Sequence, residues 1–264
     1  MRLKNKVIIV TGSTTGIGKA IAKRCVAEGA KVVLNGLEED WGKQILNELA
    51  NENAVLHIED ISNDDADKRL VELAIKTFGK LDAVVNNAAI VASSNIETTD
   101  KNFLRRLLEV NMIAPFALIK SALPYLSKQH GCVLNIGSVN AYSGEPNLLA
   151  YSITKGALMT MTRNLGDTLF RENGVRVNQI NPGWVLTETE IERKKQHGLA
   201  DDWYTHLPKV YAPAGRILQP SEIAAAAVYW LSDECGPISG QVVDLEQHPF
   251  IGRNPPKDSS TINS

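Results

Sequence analysis

The sequence predicts a parallel β-sheet with helices packed on both of its faces. Short apolar runs rich in β-branched residues alternate with longer amphipathic stretches along the chain. Most of these runs are continuously apolar, which is typical of strands buried on both faces. Regular alternation of strands and helices predicts parallel strands joined by helical crossovers. The predicted strands cover residues 7–10, 31–34, 54–58, 83–86, 131–136, 175–180 and 241–244.

Helical periodicity fills the stretches between the predicted strands. Within residues 66–78, for example, Leu70, Ala74 and Phe78 fall on one apolar stripe at helical spacing. A longer helical pattern covers residues 148–170. Each of these helices therefore has an apolar side that can cover the sheet.

The chain is predicted to form one domain over residues 1–252, because no internal repeat and no linker-like composition divides it. Residues 187–220 depart from the alternation, since they form a long stretch that is charged and rich in aromatic side chains. Long insertions of this kind often act as lids or binding loops, so we name these residues the lid segment. The tail at residues 253–264 is predicted to be poorly ordered.

Charge and hydropathy argue against several classes of partner. A formal net charge of −2 gives no general attraction to nucleic acid or to an anionic membrane. No run approaches the roughly 20 apolar residues that a membrane-spanning helix needs. The apolar run after the basic N-terminus ends at Val10, which is too short for the core of a signal peptide. We therefore expect a cytoplasmic protein without a nucleic-acid or membrane partner.

The three cysteines, Cys25, Cys132 and Cys235, are odd in number and far apart in the sequence. Their spacing matches no pattern of metal ligands, and unpaired thiols favour a reducing compartment. The five histidines show no paired metal spacing either. The sequence therefore predicts no metal site.

A glycine-rich loop follows the first predicted strand. Residues 11–18 read T-G-S-T-T-G-I-G, and a helical pattern begins at once. Glycines let the backbone turn tightly and approach a ligand closely. The helix start that follows offers unpaired N–H groups and the positive end of a dipole, which suit a pyrophosphate. Between a strand and a helix, this loop predicts a dinucleotide-binding turn, although its spacing differs from the usual G-x-G-x-x-G.

At this loop the chain resembles the short-chain dehydrogenase/reductase family, whose members carry T-G-x-x-x-G-x-G in the same place. Residues 86–89, N-N-A-A, are similar to the family's N-N-A-G after the fourth strand. Residues 181–187 are similar to its P-G motif after the sixth strand. The resemblance covers about residues 3–245. It implies a Rossmann-type, doubly wound parallel sheet of seven strands with the cofactor across their carboxyl ends.

The same resemblance assigns cofactor contacts to these motifs and to the loops after strands two and three. The predicted cofactor-binding residues are Gly12, Ser13, Thr15, Gly16, Ile17, Gly18, Gly36, Leu37, Asp60, Ile61, Asn87, Ala88, Ala89, Tyr151, Lys155, Pro182, Gly183, Val185 and Thr187.

Tyr151 is the one tyrosine of six that has a lysine four residues on, Lys155. On a helix, such a pair lies on one face about 5–6 Å apart. A free phenol titrates near about pH 10, and a cation at this distance lowers the pKa of a neighbouring acid by about 1–3 units. We therefore expect Lys155 to bring Tyr151 nearer to neutral pH, where it can exchange a proton with a substrate oxygen.

Together with Asn111 and Ser138, these two residues match the family's catalytic tetrad in order and spacing. Ser138 follows a predicted strand, where its hydroxyl can polarise the same substrate oxygen. The resemblance implies that Lys155 also binds the nicotinamide ribose and that Asn111 holds a water relaying protons to Lys155. Because the hydride belongs to the cofactor, we predict an NAD(P)-dependent oxidoreductase that interconverts a secondary alcohol and a ketone.

The choice of cofactor depends on residues 35–40, N-G-L-E-E-D. NAD-preferring relatives usually have Asp where Gly36 stands, and NADP-preferring relatives often have a basic residue where Leu37 or Thr15 stands. This chain has neither signature. Each nearby carboxylate would oppose one charge of a 2′-phosphate by roughly 2 kcal/mol at about 7 Å. This favours NAD, with NADP as the alternative, unless these carboxylates are solvent-facing residues at a helix start.

The walls of the substrate site are expected from residues 140–146 and from the lid segment. Their polar and aromatic side chains favour a sugar, a polyol or another polar hydroxy compound. Two alternatives stay open: a 3-oxoacyl-carrier-protein reductase, which Arg105, Arg106 and Arg171 would serve as basic surface, and a non-catalytic cofactor sensor, against which the intact tetrad argues. The predicted substrate residues are Asn140, Tyr142, Trp184 and Trp203.

The end of the last predicted strand departs from the family. Relatives commonly read V-D-G-G, and this chain reads V-D-L-E at residues 243–246. Family members are generally tetramers with the C-terminal tail near an interface. We therefore expect a homotetramer, the closed symmetric arrangement usual for such enzymes, with an altered C-terminal end.

Overall fold

The computed structural model describes residues 1–49, 52–142 and 144–249. The predicted tail, residues 253–264, lies outside them. The strands are β1 (Val7–Val10), β2 (Lys31–Gly36), β3 (Ala54–Ile58), β4 (Ala83–Asn86), β5 (Cys132–Ile136), β6 (Arg176–Pro182) and β7 (Val242–Leu245).

These strands form one parallel sheet in the order β3-β2-β1-β4-β5-β6-β7. The order reverses at β1, which pairs with β2 on one side and with β4 on the other. Such a reversal opens a crevice at the carboxyl ends of the strands, where ligands of doubly wound sheets bind. The predicted fold class is therefore confirmed.

Alternate residues of the central strands enter two separate cores. In β1, Ile8 and Val10 pack into the core on one face of the sheet, and Val7 and Ile9 into the core on the other. All four side chains are almost completely buried. This two-sided burial is the reason that the run is continuously apolar in the sequence.

Helices cover both faces, as the alternation predicts. Side chains of α1, α2 and α8 build the core on one face, and side chains of α3, α5 and α6 build the core on the other. The helices are α1 (Gly16–Ala27), α2 (Glu39–Glu48), α3 (Ala66–Phe78), α4 (Lys101–Leu108), α5 (Ala114–Lys128), α6 (Leu149–Asn173), α7 (Glu188–Gln196) and α8 (Pro220–Leu231).

A π-helical turn at Glu109–Ile113 joins α4 to α5 into one helical run, Lys101–Lys128. This run has the length and mean hydropathy that a membrane-crossing helix needs. Uninterrupted apolar runs in the sequence do not reveal this feature. Here 44% of its most apolar window is buried inside the fold. Leu118 and Leu126, for example, pack into the sheet core.

The lid segment follows β6, and its two ends lie next to each other before α8 begins. Backbone hydrogen bonds close its base, from Leu186 N to Leu218 O at 2.8 Å and from Leu218 N to Trp184 O at 2.9 Å. Helix α7 has no buried residue. Trp203, Ala212 and Ile217 instead form a small apolar cluster inside the segment. The lid segment is thus a closed excursion with a core of its own.

Candidate active site

A cleft of about 940 Å³ runs along the carboxyl ends of the strands. Its volume lies near the upper end of the roughly 300–1,000 Å³ usual for ligand pockets, which suits a ligand as long as a dinucleotide. The predicted cofactor residues that line it are Gly12, Thr15, Gly16, Ile17, Gly36, Leu37, Asp60, Ile61, Asn87, Ala88, Ala89, Tyr151, Lys155, Pro182, Gly183, Val185 and Thr187.

Two predicted cofactor residues, Ser13 and Gly18, lie behind this surface instead. Both are buried. Ser13 N donates to Asn35 O at 2.7 Å, and Asn35 N donates to the Ser13 hydroxyl at 3.0 Å. Ser13 therefore ties the glycine loop to β2. Its contact with the cofactor stays a prediction, and the residue pattern of the loop does not reveal which side chains turn inward.

The loops after β1 and β4 are clasped together at the centre of the cleft. The hydroxyl of Thr11 accepts from Asn87 N at 3.0 Å and from Ala88 N at 3.1 Å. In return, the Asn87 amide donates to the carbonyls of Thr11 and Gly12, both at 2.9 Å. These four bonds fix the glycine loop beside the N-N-A-A motif, so that both can face one ligand.

Three members of the predicted tetrad meet on the floor of the cleft, and we name Ser138, Tyr151 and Lys155 the catalytic group. Ser138 follows β5, and the other two occupy the first two turns of α6. Their residues are only 8%, 8% and 3% exposed. All three line the cleft, so their functional groups share one pocket almost removed from solvent.

Lys155 lies beside Tyr151 as the helical spacing predicts. Its Nζ is 5.6 Å from the centre of the Tyr151 ring and donates to Ile136 O at 2.7 Å. Burial lowers the pKa of Lys155 to about 8, because the charged ammonium loses its hydration. The lysine can therefore lose or regain a proton close to physiological pH.

The expected lowering of the Tyr151 pKa is not found in the chain without a bound cofactor. Burial raises this pKa to about 12, an effect larger than the lowering by the Ser138 hydrogen bond and by the charge of Arg193. The sequence argument considered the neighbouring cation and omitted the loss of water around the phenol. Tyr151 is therefore protonated at neutral pH and ready to donate.

A chain of polar groups positions Ser138 from the neighbouring strands. Ser138 N donates to Asn181 Oδ1 at 3.1 Å, and the Gln179 amide donates to the same oxygen at 2.7 Å. The amide nitrogen of Asn181 donates to Asp244 Oδ1 at 3.0 Å, and so does the Tyr142 hydroxyl. Tyr142 supports this chain and does not line the cleft, and its predicted contact with substrate stays a prediction.

Asn111 lies in the π-helical turn, buried and outside the lining of the cleft. Its side-chain oxygen accepts from Ile90 N at 2.8 Å, and its amide donates to Ile90 O and to Thr154 Oγ1, both at 3.0 Å. The Thr154 hydroxyl donates to Tyr151 O at 2.7 Å. Asn111 thereby holds the first turns of α6 in place. Its predicted water relay stays a prediction.

Trp184, just before the lid segment, lies on the other side of the pocket and contacts side chains of that segment. The indole N–H of Trp184 donates to Glu190 at 2.8 Å. Lys194 Nζ lies 5.1 Å from one ring of Trp184, and the Trp203 ring stacks on it with 5.1 Å between centroids. Trp184 and Asn140 line the cleft as predicted, whereas Trp203 lies behind Trp184 in the small lid core. The contact of Trp203 with substrate stays a prediction.

Several charged residues at this end of the cleft were not among the predicted site residues. Arg193 donates two hydrogen bonds to the Glu190 carboxylate, at 2.9 and 3.0 Å. Glu246 accepts from Trp184 N at 3.0 Å and from Gln247 N at 2.7 Å. Glu246 occupies the place where the sequence departs from V-D-G-G, which is the signal that could have identified it. The additional lining residues are Glu145, Glu190, Arg193, Lys194, Tyr211, Glu246 and His248.

No metal centre is found in the described part of the chain. None of its groups of three or more His, Cys, Asp or Glu side chains is arranged to hold an ion. The arrangement of residues in the cleft instead fits proton transfer beside a long, anionic, organic ligand.

Comparison with known proteins adds independent observations. A family model described as enoyl-(acyl carrier protein) reductase matches residues 12–246. The chain is 38% identical over 234 residues to L-fucose dehydrogenase of Mus musculus, covering 88% of this chain and 84% of that protein. It is 33% identical over 237 residues to the NADP-dependent (R)-specific alcohol dehydrogenase of Lentilactobacillus kefiri, covering 88% and 92% respectively.

A solved structure shares the fold. It is described as a short-chain dehydrogenase/reductase, glucose/ribitol dehydrogenase, from Brucella melitensis, and it is 28% identical in sequence. The superposition has a TM-score of 0.84 and covers 92% of this chain and 96% of the other. Sequence and structure comparisons therefore lead to the same group of proteins.

Proposed function

The chain belongs to the short-chain dehydrogenase/reductase family, and we propose that it oxidises a secondary hydroxyl group of a sugar, a polyol or a similarly polar compound. As a family member it is a nicotinamide-dependent oxidoreductase acting on CH–OH groups. The observation that carries the narrower proposal is the charged wall beside the buried catalytic group, which the lid segment forms together with Glu145 and Glu246.

The polarity of this wall supports a polyhydroxy substrate. Hydroxyl groups of a sugar can both donate to carboxylates and accept from cations, and the cleft offers both kinds of partner. Glu145 and Glu246 supply carboxylates, and Arg193 and Lys194 supply cations. A long acyl chain would remove water from these groups and offer them no hydrogen bond of its own, which is costly for polar groups.

The catalytic group would handle the proton. When bound, the oxidised nicotinamide supplies a hydride acceptor and a positive charge beside the phenol. A positive charge favours the phenolate and so opposes the effect of burial on Tyr151. Once Tyr151 has released its own proton to solvent, its phenolate would accept the proton of the substrate hydroxyl, and Ser138 would hold the same oxygen by a hydrogen bond. In the reverse direction, the protonated Tyr151 donates to the carbonyl oxygen.

A 3-oxoacyl-carrier-protein reductase is the alternative activity, and its predicted basic surface is largely neutralised. Arg106 pairs with Asp60 at 2.6 Å, and Arg171 pairs with Asp167 at 2.7 Å. Arg106 also lines the cofactor end of the cleft and not the substrate end. These pairings rank the alternative below a polar-alcohol dehydrogenase.

NAD is the proposed cofactor because Glu38, two residues after β2, brings a carboxylate into the lining of the cleft, where it would repel a 2′-phosphate. Glu38 lines the cleft and accepts from the Thr14 hydroxyl at 2.5 Å and from Leu37 N at 3.3 Å. A Cβ atom on residue 36 would lie 2.2 Å from the Thr14 hydroxyl oxygen. The usual aspartate therefore does not fit at this position unless Thr14 shifts. Glu38 supplies a carboxylate here in its place. Glu39, in contrast, is exposed and pairs with Lys43.

A substrate panel followed by nicotinamide absorbance tests the activity. We expect turnover of sugars or polyols with NAD⁺, a lower kcat/KM with NADP⁺, and little reduction of 3-oxoacyl thioesters. Preferred turnover of the thioesters would instead establish the alternative. A chain that binds dinucleotide but turns over none of these compounds would favour the cofactor-sensing protein.

A homotetramer is the proposed assembly. Ile113 and Phe116, around the start of α5, and Ile153 on α6 are 40%, 46% and 44% exposed. Large apolar side chains on two helices that turn away from the sheet support a symmetric helix-to-helix interface. Light scattering on the purified protein would measure the assembly, and Phe116→Glu should shift it to smaller species.

A reducing, cytoplasmic location is also proposed. The three cysteines are buried as free thiols. Burial raises the pKa of Cys25 to about 12, which keeps its thiol protonated and unreactive. Microscopy of a tagged full-length chain would test this location.

A further inference from the structure

The first residue of the lid helix contacts the glycine loop. Glu188 begins α7, and its Oε2 accepts from Gly16 N at 3.1 Å. Its other carboxylate oxygen lies 3.9 Å from Lys19 Nζ. Gly16 and Lys19 both belong to the first turn of α1. A single carboxylate therefore connects the lid segment to α1, the helix that follows the glycine loop.

Backbone packing brings Glu188 to this position. Gly16 has a φ of +52°, and a Cβ atom on it would stand 3.2 Å from the Thr187 methyl group. Thr187 in turn caps α7, because its hydroxyl accepts from Glu190 N at 3.1 Å. The start of α7 thus packs against a residue where other side chains would be strained. Glu188 follows immediately and reaches the same residue with its carboxylate.

The carboxylate of Glu188 accepts from a backbone N–H group, Gly16 N, that an anionic ligand could also bind. The first N–H groups of a helix lack partners within the helix and carry a partial positive charge. The side chain of Thr15, which precedes α1, makes no capping hydrogen bond. Gly16 N is therefore an available donor at the point where doubly wound folds hold a pyrophosphate. In this structure Glu188 satisfies it.

We propose that Glu188 limits the affinity of the cleft for its nicotinamide dinucleotide, because its carboxylate competes with the pyrophosphate for the N-terminus of α1. Two anions cannot share this helix end without repulsion. The proposal rests on the dinucleotide cofactor of the proposed function and is independent of the substrate. Lys19 provides the displaced carboxylate with a second partner, so that binding costs part of the affinity and does not prevent it.

The lid segment and the cofactor are coupled by the same contact. When the pyrophosphate takes the Gly16 N–H group, α7 loses a hydrogen bond to the glycine loop. Thr187 and the base of the lid segment remain attached through backbone contacts. Cofactor binding should therefore loosen the start of α7 without detaching the segment.

Direct measurement of cofactor binding tests the proposal without substrate. Dissociation constants for NADH are measured by calorimetry or fluorescence for the full chain, for Glu188→Gln and for Glu192→Gln. The Gln variant at residue 188 keeps a neutral acceptor and loses the charge, and we expect it to bind NADH about five- to tenfold more tightly at low salt. Screening should reduce this gain to about twofold or less near 1 M salt.

Glu192→Gln is the matched control. Glu192 lies one turn further along α7 and has Gln196 as its hydrogen-bond partner, so its loss changes the charge of the helix but not the contact with α1. We expect its NADH affinity to stay within about twofold of the unaltered chain. An equal gain in both variants would show a general charge effect and would overturn the proposal.

A shorter carboxylate separates reach from charge. Glu188→Asp keeps the charge but lacks one methylene, and it should bind NADH with an affinity between those of the unaltered chain and Glu188→Gln. If Glu188→Gln and Glu188→Asp both bind NADH no more tightly than the unaltered chain, the proposal is wrong. Failure of the unaltered chain to bind NADH or NADPH would overturn the cofactor assignment together with the proposal.

Discussion

The catalytic group and the lid segment line the same cleft but are built in opposite ways. Ser138, Tyr151 and Lys155 are at most 8% exposed and lie just after β5 and on α6, at the centre of the fold. Helix α7 of the lid segment has no buried residue and is rich in ion pairs. The catalytic group is thus fixed by buried elements of the central fold, and part of the charged wall of the cleft is fixed by a helix on the surface.

The two regions also differ in what their charges cost. Lys155 is a buried cation that contacts a backbone carbonyl and an aromatic ring, so that burial disfavours its charged form. Arg193 and Lys194 instead share the carboxylate of Glu190, so that both cations of the lid segment have a partner of opposite charge. Changes in the catalytic group should therefore affect turnover and folding strongly, and changes in the lid segment should affect substrate binding.

The largest expected effect is the loss of the Tyr151 hydroxyl. Tyr151→Phe removes the proton donor and acceptor, and we expect kcat to fall about 10³-fold. NADH affinity should change by less than about threefold, because the ring and Lys155 remain. Tyr125→Phe is the matched control, since Tyr125 also has a lysine over its ring, Lys128 at 5.7 Å, but does not line the cleft. Retained turnover in Tyr151→Phe would contradict the assigned role.

Replacing the buried cation should separate activity from stability. Lys155→Met should abolish most turnover and, at neutral pH, raise the free energy of unfolding of the cofactor-free chain by about 1–3 kcal/mol, because it removes a buried charge. The folded pKa of Lys155, about 8, lies below its ordinary value of 10.5. The burial penalty is therefore complete below pH 8 and disappears as the pH rises towards 10.5.

Chemical denaturation at neutral pH and near pH 10 checks this expectation. The gain from Lys155→Met should shrink at the higher pH, where the lysine of the unaltered chain folds without its charge. Lys128→Met, on the exposed end of α5, should change the free energy of unfolding by less than about 0.5 kcal/mol at either pH. A destabilised Lys155→Met at neutral pH would show that the bond to Ile136 outweighs the cost of burial.

The smallest of the three effects is expected in the lid segment. Trp203→Ala removes the ring that supports Trp184, and we expect KM for the substrate to rise about tenfold with little change in the cofactor affinity. Trp230→Ala provides the comparison, since Trp230 packs against the main core on α8. It should lower the melting temperature by several degrees more than Trp203→Ala. Equal losses of stability would mean that the lid core and the sheet core unfold as one unit.

The strands could be predicted closely from the sequence because their signal is local. The predicted strand at residues 54–58 matches β3 in both bounds, and so does the predicted helix at 66–78, which is α3. The strand predicted at 175–180 is observed as Arg176–Pro182. Each strand or helix has apolar residues at the spacing that buries them in the core. This spacing is visible within one segment, whichever neighbours the segment has in the fold.

The site was predictable where short motifs carry it and not where distant segments meet. Ser138, Tyr151 and Lys155 come together as their spacing predicts. Tyr142 and Trp203 point into supporting structure, because a bulky polar aromatic residue near a site serves equally as a wall or as a support. Which role applies depends on partners far away in the sequence, such as Asp244 for Tyr142.

The sequence by itself determined the order of strands and helices, the glycine loop and the helical pairing of a phenol with an ammonium, because each of these is a pattern over a few neighbouring residues. Only the tertiary structure decided how much water those groups lose, and that loss raises the pKa of Tyr151 and lowers that of Lys155. It also decided which carboxylates contact the glycine loop, Glu38 at Thr14 and Glu188 at Gly16. Hydration and charge depend on surfaces assembled from remote segments, and no local pattern records them.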